Sequence, residues 1–358
     1  GGGLVAYDQI AGKSELPRSR YVLPPTVKSS IPEIKEKGLK GGILYYDGQF
    51  NDPRMALTLA MSANEMGAKV INYAEVTGFD FDDNQNVSGL HFRDRLTGRT
   101  FAVGATKVIN ATGPFSDKIR QMAVEPIASQ FDKGHPSIAN MIRTRAGSHI
   151  ILDESFPPPK QAMVIPKTKD GRVVFIAPWE GRTLVGTTDI DAPLSRHPKP
   201  TEAEIEFILE TLGGYYERQP ARENVSAAWT GLRPLVVDPN ASDPTQISRD
   251  HVTEVGPTGL VTIAGGKWTT YRAMGEHVVT ETLKQMGKTD IPKSVTTRLP
   301  LAGASPYENY DKEALPQEIS QSFALPLDLS THLSRSYGAR AREVAALSKT
   351  ENLTEKLS

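Results

Sequence analysis

A short apolar run, Leu260 to Ile263, passes through Ala264 into Gly265-Gly266 and straight on into Lys267-Trp268-Thr269-Thr270-Tyr271-Arg272. Such a run reads as a buried strand. The glycine pair permits a sharp reversal of the backbone. A helix is predicted from near Thr269 through Val278 to Leu283. A strand that turns tightly into a helix is the building unit of an α/β sheet. The unpaired N–H groups at such a helix start, together with the helix dipole, favour an electron-rich group, and Lys267 adds positive charge there. A tight turn carrying a solvated lysine is the bland alternative.

The remaining pattern predicts a mixed α/β (α+β) chain. Asp52 is expected to cap a helix with Pro53 at its first position, Ala56, Leu59, Ala60, Ala63 and Met66 on its apolar face, and Gly67 at its end. Lys69 to Val76 reads as a buried strand. Val87 to Leu96 and Thr100 to Asn110 read as strands of a meander, punctuated by the turns Asp82-Asp83-Asn84 and Thr97-Gly98. From 143 to about 190 the chain is strand-rich. Thr201 with Glu204 forms a capping box ahead of Ile205, Ile208, Leu209 and Leu212, and Gly213-Gly214 closes that helix. Val225 to Trp229 is a further strand. Short helices and connections are expected over 4–40, and helices beyond Pro292, with Ala339 to Ser348 the clearest.

Composition narrows the function classes. Lys plus Arg number 41 against 42 Asp plus Glu, so the net charge of −1 gives no reason to expect a nucleic-acid partner. With no cysteine there is no disulfide, thiolate metal site or cysteine nucleophile. The histidines show no metal-ligand spacing, and no apolar stretch approaches the roughly 18 residues of a membrane-spanning helix. Membrane contact would have to be peripheral. Gly1-Gly2-Gly3 resembles a linker, and the natural protein is expected to begin earlier.

Three further segments can carry chemistry. Asn110-Ala111-Thr112-Gly113-Pro114 follows an apolar run, at the strand end where open α/β sheets bind ligands; a plain turn is the alternative. Arg233 stands alone among apolar residues in Trp229-Thr230-Gly231-Leu232-Arg233-Pro234-Leu235, and a guanidinium matches a phosphate by a two-pronged hydrogen bond. Arg249 is a weaker second, and either arginine could be a structural ion pair. His149, in Arg145-Ala146-Gly147-Ser148-His149, is either a hydrogen-bonded structural residue or a proton acceptor from a substrate hydroxyl.

Taken in order, these strings, with Tyr45-Tyr46-Asp47-Gly48-Gln49-Phe50-Asn51-Asp52 and Val185-Gly186-Thr187-Thr188-Asp189, resemble the FAD-dependent glycerol-3-phosphate dehydrogenases of the mitochondrial, quinone-reducing type. The short tail after Ala339 looks fungal rather than animal, with no calcium-binding EF-hand loop. The resemblance implies a glutathione-reductase/D-amino-acid-oxidase type fold: an FAD domain (41–122 and 253–288), a substrate domain with an antiparallel sheet (4–40 and 123–252), and a helical C-terminal part (289–358). It implies oxidation of sn-glycerol 3-phosphate to dihydroxyacetone phosphate by hydride transfer to FAD, with electrons passed on to ubiquinone. Peripheral attachment to the inner mitochondrial membrane on its intermembrane-space side and a homodimer are further implications. By resemblance, Arg233 and Arg249 hold the substrate phosphate and Lys267 stands beside flavin and substrate. Val76 lies near the adenine, Ala111, Thr112 and Gly113 near the FAD phosphates, and Gly265, Gly266 and Thr269 face the isoalloxazine, whose reduced form is anionic. His149 is the candidate base.

Two strings of the family are missing here, the Gly-x-Gly-x-x-Gly turn that grips the pyrophosphate and a His-Gly-Gly-x-Arg-Tyr segment. The chain alone is therefore expected to bind FAD poorly. An oxidase that passes electrons to oxygen and a non-catalytic fragment are the competing readings.

Overall fold

The computed structural model describes residues 17–130, 139–166, 168, 171–237, 247–248, 250–304 and 311–350. They fall into two compact units. The first holds the described residues up to Asp47, with Val76–Phe92 and Thr100–Ile291; the second holds Gly48–Glu75, Arg93–Arg99 and the described residues from Pro292 onward.

In chain order the elements begin with β1 (Arg20–Val22), α1 (Pro24–Ser30), β2 (Gly42–Leu44) and α2 (Asp52–Glu65). Next come β3 (Ala74–Phe81), β4 (Val87–Asp94), β5 (Thr100–Gly104), β6 (Ile109–Asn110) and α3 (Ser116–Val124). The strand-rich middle holds β7 (Ile142–Leu152), β8 (Met163–Ile165), β9 (Val174–Trp179), β10 (Arg182–Gly186) and β11 (Ile190–Asp191). They are followed by α4 (Glu202–Gly213), β12 (Val225–Val237), β13 (Ile247–Ser248), β14 (His251–Val255), β15 (Val261–Gly265) and α5 (Tyr271–Gln285). The last three helices are α6 (Leu315–Phe323), α7 (Leu327–Tyr337) and α8 (Ala341–Thr350).

A large antiparallel sheet in the order β13-β12-β7-β10-β9-β8, with β11 also on β7, dominates the first unit. Side chains alternate along a strand. Ile150 and Leu152 of β7 therefore share one face, and Ile165, Val174, Ile176 and Val185 complete it. Against this face packs α4, through Ile205, Ile208, Leu209 and Leu212. The helix starts where the sequence predicts. Thr201 Oγ1 accepts from Glu204 N (3.3 Å), and Glu204 Oε2 accepts from Thr201 N (2.9 Å). The other oxygen of Glu204 accepts from Ser148 Oγ (2.8 Å) and Thr188 Oγ1 (2.6 Å). Burial pushes this carboxyl's pKa up, but the hydrogen bonds from Thr188, the Thr201 backbone and Ser148 outweigh it and leave it below the usual range. The carboxylate thus ties α4 to β7 and to the corner after β10.

A second sheet runs β14-β15-β6, with β15 antiparallel to β14 and parallel to β6. Val278 and Met274 of α5 cover Val261 and Ile263. On the other side Ala123 and Ile119 of α3 meet Leu260, Val87 and Val108. Arg120 of α3 is buried and pairs with Asp117 (2.9 Å) and Glu254 (2.8 Å). Asp117 also accepts from the backbone N–H groups of Met141 (3.1 Å) and Ile142 (2.9 Å), anchoring the start of β7. In the second unit α6, α7 and α8 enclose Leu315, Ile319, Leu325, Ala341 and Ala345. Arg342 clasps Glu318 through two 2.6 Å bonds.

Several expectations shift. Lys69 to Val76 is not a buried strand: the ladder begins only at Ala74, and Val70 and Ile71 are exposed. Tyr73, at φ 55°, breaks the extended run just before it. The α2 cap is Asn51, whose Oδ1 accepts from Arg54 N (3.1 Å), so Asp52 and Pro53 are the first two helical residues. The apolar face of α2 is at best half-buried, with Met66 exposed. Thr100 to Asn110 divides between two sheets, β5 beside β4 and β6 beside β15. The strand read as Val225 to Trp229 continues to Val237, because all but its end pairs with the 11-residue β7. The region 4–40 contains β1, which pairs with β2.

Candidate functional site

On the central pair, Arg233 lies opposite Arg145, Gly231 opposite Gly147 and Trp229 opposite His149. By the two-residue period these six share one face of the sheet, the one turned away from α4. The Arg233 guanidinium folds over Gly147, where any Cβ would overlap it. It donates to Thr187 Oγ1 (2.9 Å), Thr188 O (3.2 Å) and Asp189 Oδ1 (3.3 Å). Arg145 donates to the same Asp189 oxygen (2.8 Å) and to its carbonyl (2.8 Å). Arg143 grips Asp191 with bonds of 2.9 and 2.6 Å. Among the described residues three guanidinium groups thus meet the carboxylates of Asp189 and Asp191. The Arg233 side chain is 35% exposed. A planar, fixed fork beside glycine-lined backbone suits a phosphate ester.

His149 stacks on Trp229, with ring centroids 5.6 Å apart and planes 14° off parallel. Its ring lies over Gly186, whose missing side chain makes room for it. Burial first, and then the Arg233 charge, lower its pKa to about 4. The ring is therefore neutral at neutral pH, with one nitrogen free to accept. An unfolded histidine titrates near 6.5, so as pH falls the unfolded chain takes up the proton first. The stability due to a neutral His149 is complete above about pH 6.5 and is lost as pH drops toward about 4, by about 3 kcal/mol. His149→Gln is expected to flatten this stretch of the stability profile, read by urea unfolding between pH 4 and 7; an unchanged slope would contradict the assignment.

The two glycine-bearing turns sit together. Because β6 and β15 are parallel, with Ile109 opposite Val261 and Asn110 opposite Thr262, their C-terminal turns leave the sheet at the same edge. Asn110, buried, shapes the first turn. Its Nδ2 donates to Ser116 O (3.0 Å) and Thr262 Oγ1 (3.2 Å), and its Oδ1 accepts from Thr112 Oγ1 (2.7 Å). Ala111 and Thr112 are exposed, and Gly113 has φ 57°. In the second turn Gly265 and Gly266 take φ 77° and 75°, and a 3₁₀ turn, Trp268–Thr270, leads into α5. Lys267 and Thr269 are exposed there.

The structure thus gathers Arg233 and His149 with the Thr187–Asp189 corner, and separately the Thr112–Gly113 and Gly265–Gly266 turns. Gly265 lies against Val236, three positions along β12 from Arg233; a Cβ built on it would come 2.5 Å from Val236 Cγ2. Val76 is the third residue of β3 and half-buried. Arg249 lies outside the described residues. Sequence reasoning missed Arg143, Arg145, Asp189, Asp191 and Asn110 as parts of the site. The alternation 143, 145, 147, 149 would have flagged the two arginines. Nothing local flags the two aspartates, which reach them only through sheet pairing.

Residues 4–279 match the family model described as FAD dependent oxidoreductase, and residues 294–358 that of the C-terminal domain of alpha-glycerophosphate oxidase. A Caenorhabditis elegans protein named probable glycerol-3-phosphate dehydrogenase, mitochondrial, is 39% identical over 350 residues, which is 97% of this chain and 46% of that protein. The mitochondrial glycerol-3-phosphate dehydrogenase of Schizosaccharomyces pombe is 38% identical over 368 residues, 98% of this chain and 55% of that protein. The chain spans about half the length of the curated relatives it matches. Among solved structures, glycerol-3-phosphate dehydrogenase from Bacillus halodurans complexed with FAD aligns with a TM-score of 0.76 at 25% identity, covering 92% of this chain and 63% of that one. L-alpha-glycerophosphate oxidase from Mycoplasma pneumoniae with FAD bound shares the fold, with a TM-score of 0.56 at 18% identity over 82% of this chain and 71% of that one.

Proposed function

This chain belongs to the FAD-dependent oxidoreductase family, and we propose that it takes part in oxidising sn-glycerol 3-phosphate to dihydroxyacetone phosphate, with ubiquinone as the onward electron acceptor. The observation that carries the reading is the arginine cluster on the glycine-lined face of the sheet, with a neutral histidine alongside. The names of the relatives agree with it. Those relatives are mitochondrial by name, and the proposed setting is the intermembrane-space side of the inner membrane. Among the described residues no helix is long and apolar enough to cross a membrane.

The residues fit FAD at the shared edge of β6 and β15, where two turns expose backbone side by side. Thr112 and Gly113 would hold its phosphate side, and Gly265, Gly266 and Thr269 its ring side. FAD, when bound, supplies the acceptor for the hydride leaving C2 of the substrate. The protein's own part is positioning and charge. Arg233 binds the phosphate and thereby fixes the three-carbon chain. His149 accepts a hydrogen bond from the C2 hydroxyl and takes its proton as the carbonyl forms. Lys267 places a positive charge by the glycine turn.

Gly147→Ala tests the positioning. The new methyl would displace the Arg233 guanidinium without demanding a forbidden backbone angle. Affinity for sn-glycerol 3-phosphate, measured by calorimetry, is expected to fall at least about tenfold with little change in melting temperature. Unchanged affinity would contradict the placement. For the whole reaction, the protein supplied with FAD is given substrate under nitrogen with a ubiquinone analogue, and separately in air. Dihydroxyacetone phosphate formed one-for-one with reduced quinone supports the proposal. Equimolar hydrogen peroxide without need for quinone favours an oxidase, a reading supported by the match of residues 294–358. No product with either acceptor, from protein that binds both FAD and substrate, defeats both.

A further inference from the structure

We propose that Thr188 and Glu204, on the side of the sheet away from the substrate, are positioning residues for its phosphate: through the sheet they set the aim of Arg233. The role rests on the reading of Arg233 as the phosphate ligand. Glu204, Ser148 and Thr188 are buried among the apolar residues between β7 and α4. A buried carboxylate is costly unless fully hydrogen-bonded. Docking of α4 does not call for one, since Ile205, Ile208, Leu209 and Leu212 already pack it on the sheet. The helix cap uses only Oε2, which accepts from Thr201 N and Thr201 Oγ1 (both 2.9 Å). Oε1 is turned instead to Thr188 Oγ1 (2.6 Å) and Ser148 Oγ (2.8 Å). Thr188 Oγ1 also accepts from Ser148 N (2.8 Å), and Thr188 N donates to Ser148 O (3.3 Å). The Thr188 hydroxyl is thus held from two sides. Threonine is stiff about its first side-chain torsion, so holding the hydroxyl holds the backbone that carries it.

That backbone is what aims the arginine. Thr187 Oγ1, the Thr188 carbonyl and Asp189 Oδ1 are consecutive acceptors for the one guanidinium. Ser148 likewise stands between Gly147, under the guanidinium, and His149. Groups facing the substrate are therefore one residue away from groups tied to Glu204. A fork that must meet two phosphate oxygens at once is sensitive to small rotations.

The test is a double-mutant cycle on the protein supplied with FAD, with affinity for sn-glycerol 3-phosphate read by calorimetry. Thr188→Val keeps the side chain's shape, loses the hydroxyl and should weaken binding at least about fivefold. Thr188→Ser keeps the hydroxyl, loses a methyl and should bind within about twofold of the parent, although both variants lower the melting temperature. In an Arg233→Ala background Thr188→Val should add less than about twofold, because it acts through the arginine. Should Thr188→Val fail to fold, Ser148→Ala, which takes the other hydroxyl from the same carboxylate oxygen, replaces it in the cycle with the same expectation. Three results overturn the positioning role while Arg233→Ala still binds weakly: parental affinity in the folded hydroxyl-deletion variant, equal losses in the Val and Ser variants, or a loss that persists in full without Arg233. Parental affinity in Arg233→Ala overturns the phosphate site itself, and this role with it.

Discussion

Arg233→Ala is expected to weaken sn-glycerol 3-phosphate binding about 30- to 1,000-fold, which is about 2–4 kcal/mol at 1.4 kcal/mol per decade. The lower part of the range for a charged pair applies because a third of the side chain faces solvent. Electrostatics give the direction. The substitution takes one positive charge from this face, and with it part of the attraction for a dianionic ester. The fold should tolerate the change. Asp189 keeps the 2.8 Å bond from Arg145. Arg233→Lys should recover only part of the affinity, since an ammonium lacks the planar fork. Calorimetry on the three proteins decides it, and equal affinities would remove Arg233 from the site.

The second large effect concerns the turn after β15. Gly265→Ala is expected to cost about 3–5 kcal/mol of stability, combining backbone strain with overpacking. Its φ of 77° disfavours any side chain, and the new Cβ would lie 2.5 Å from Val236 Cγ2 and 2.7 Å from the Asp250 carbonyl oxygen. That backbone oxygen, which accepts from Gly266 N (3.3 Å), cannot swing aside as a side-chain tip can. Gly113→Ala is the internal control. It too has positive φ, at 57°, but no atom lies within 4 Å of the added carbon. Only the backbone term remains there, about 1 kcal/mol. Urea unfolding of both variants separates the terms; equal losses would mean that the contact with Val236 is not close.

What could be read from the chain beforehand was local. The Thr201–Glu204 cap, the apolar spacing of α4 and the strand–glycine–helix passage each depend on residues within a few positions, and each stands where the pattern put it. The meander of β3, β4 and β5 is there, but other predictions that needed a strand's partner went wrong. Lys69 to Val76 has strand composition but no ladder before Ala74, and Thr100 to Asn110 is shared between two sheets. The site divides the same way. Arg233 was visible as a lone arginine in an apolar run, whereas Asp189 became its partner only through a contact 44 positions away.

The central claim is that the substrate's phosphate rests on the face of β7 and β12 that carries Gly147 and Gly231, in the grip of Arg233. A crystal structure of the protein with FAD and sn-glycerol 3-phosphate tests this most directly. The expected result is phosphate density within hydrogen-bonding distance of the Arg233 guanidinium, with C2 of the substrate turned toward His149. Phosphate bound elsewhere, with Arg233 still turned onto Thr187, Thr188 and Asp189, would contradict it.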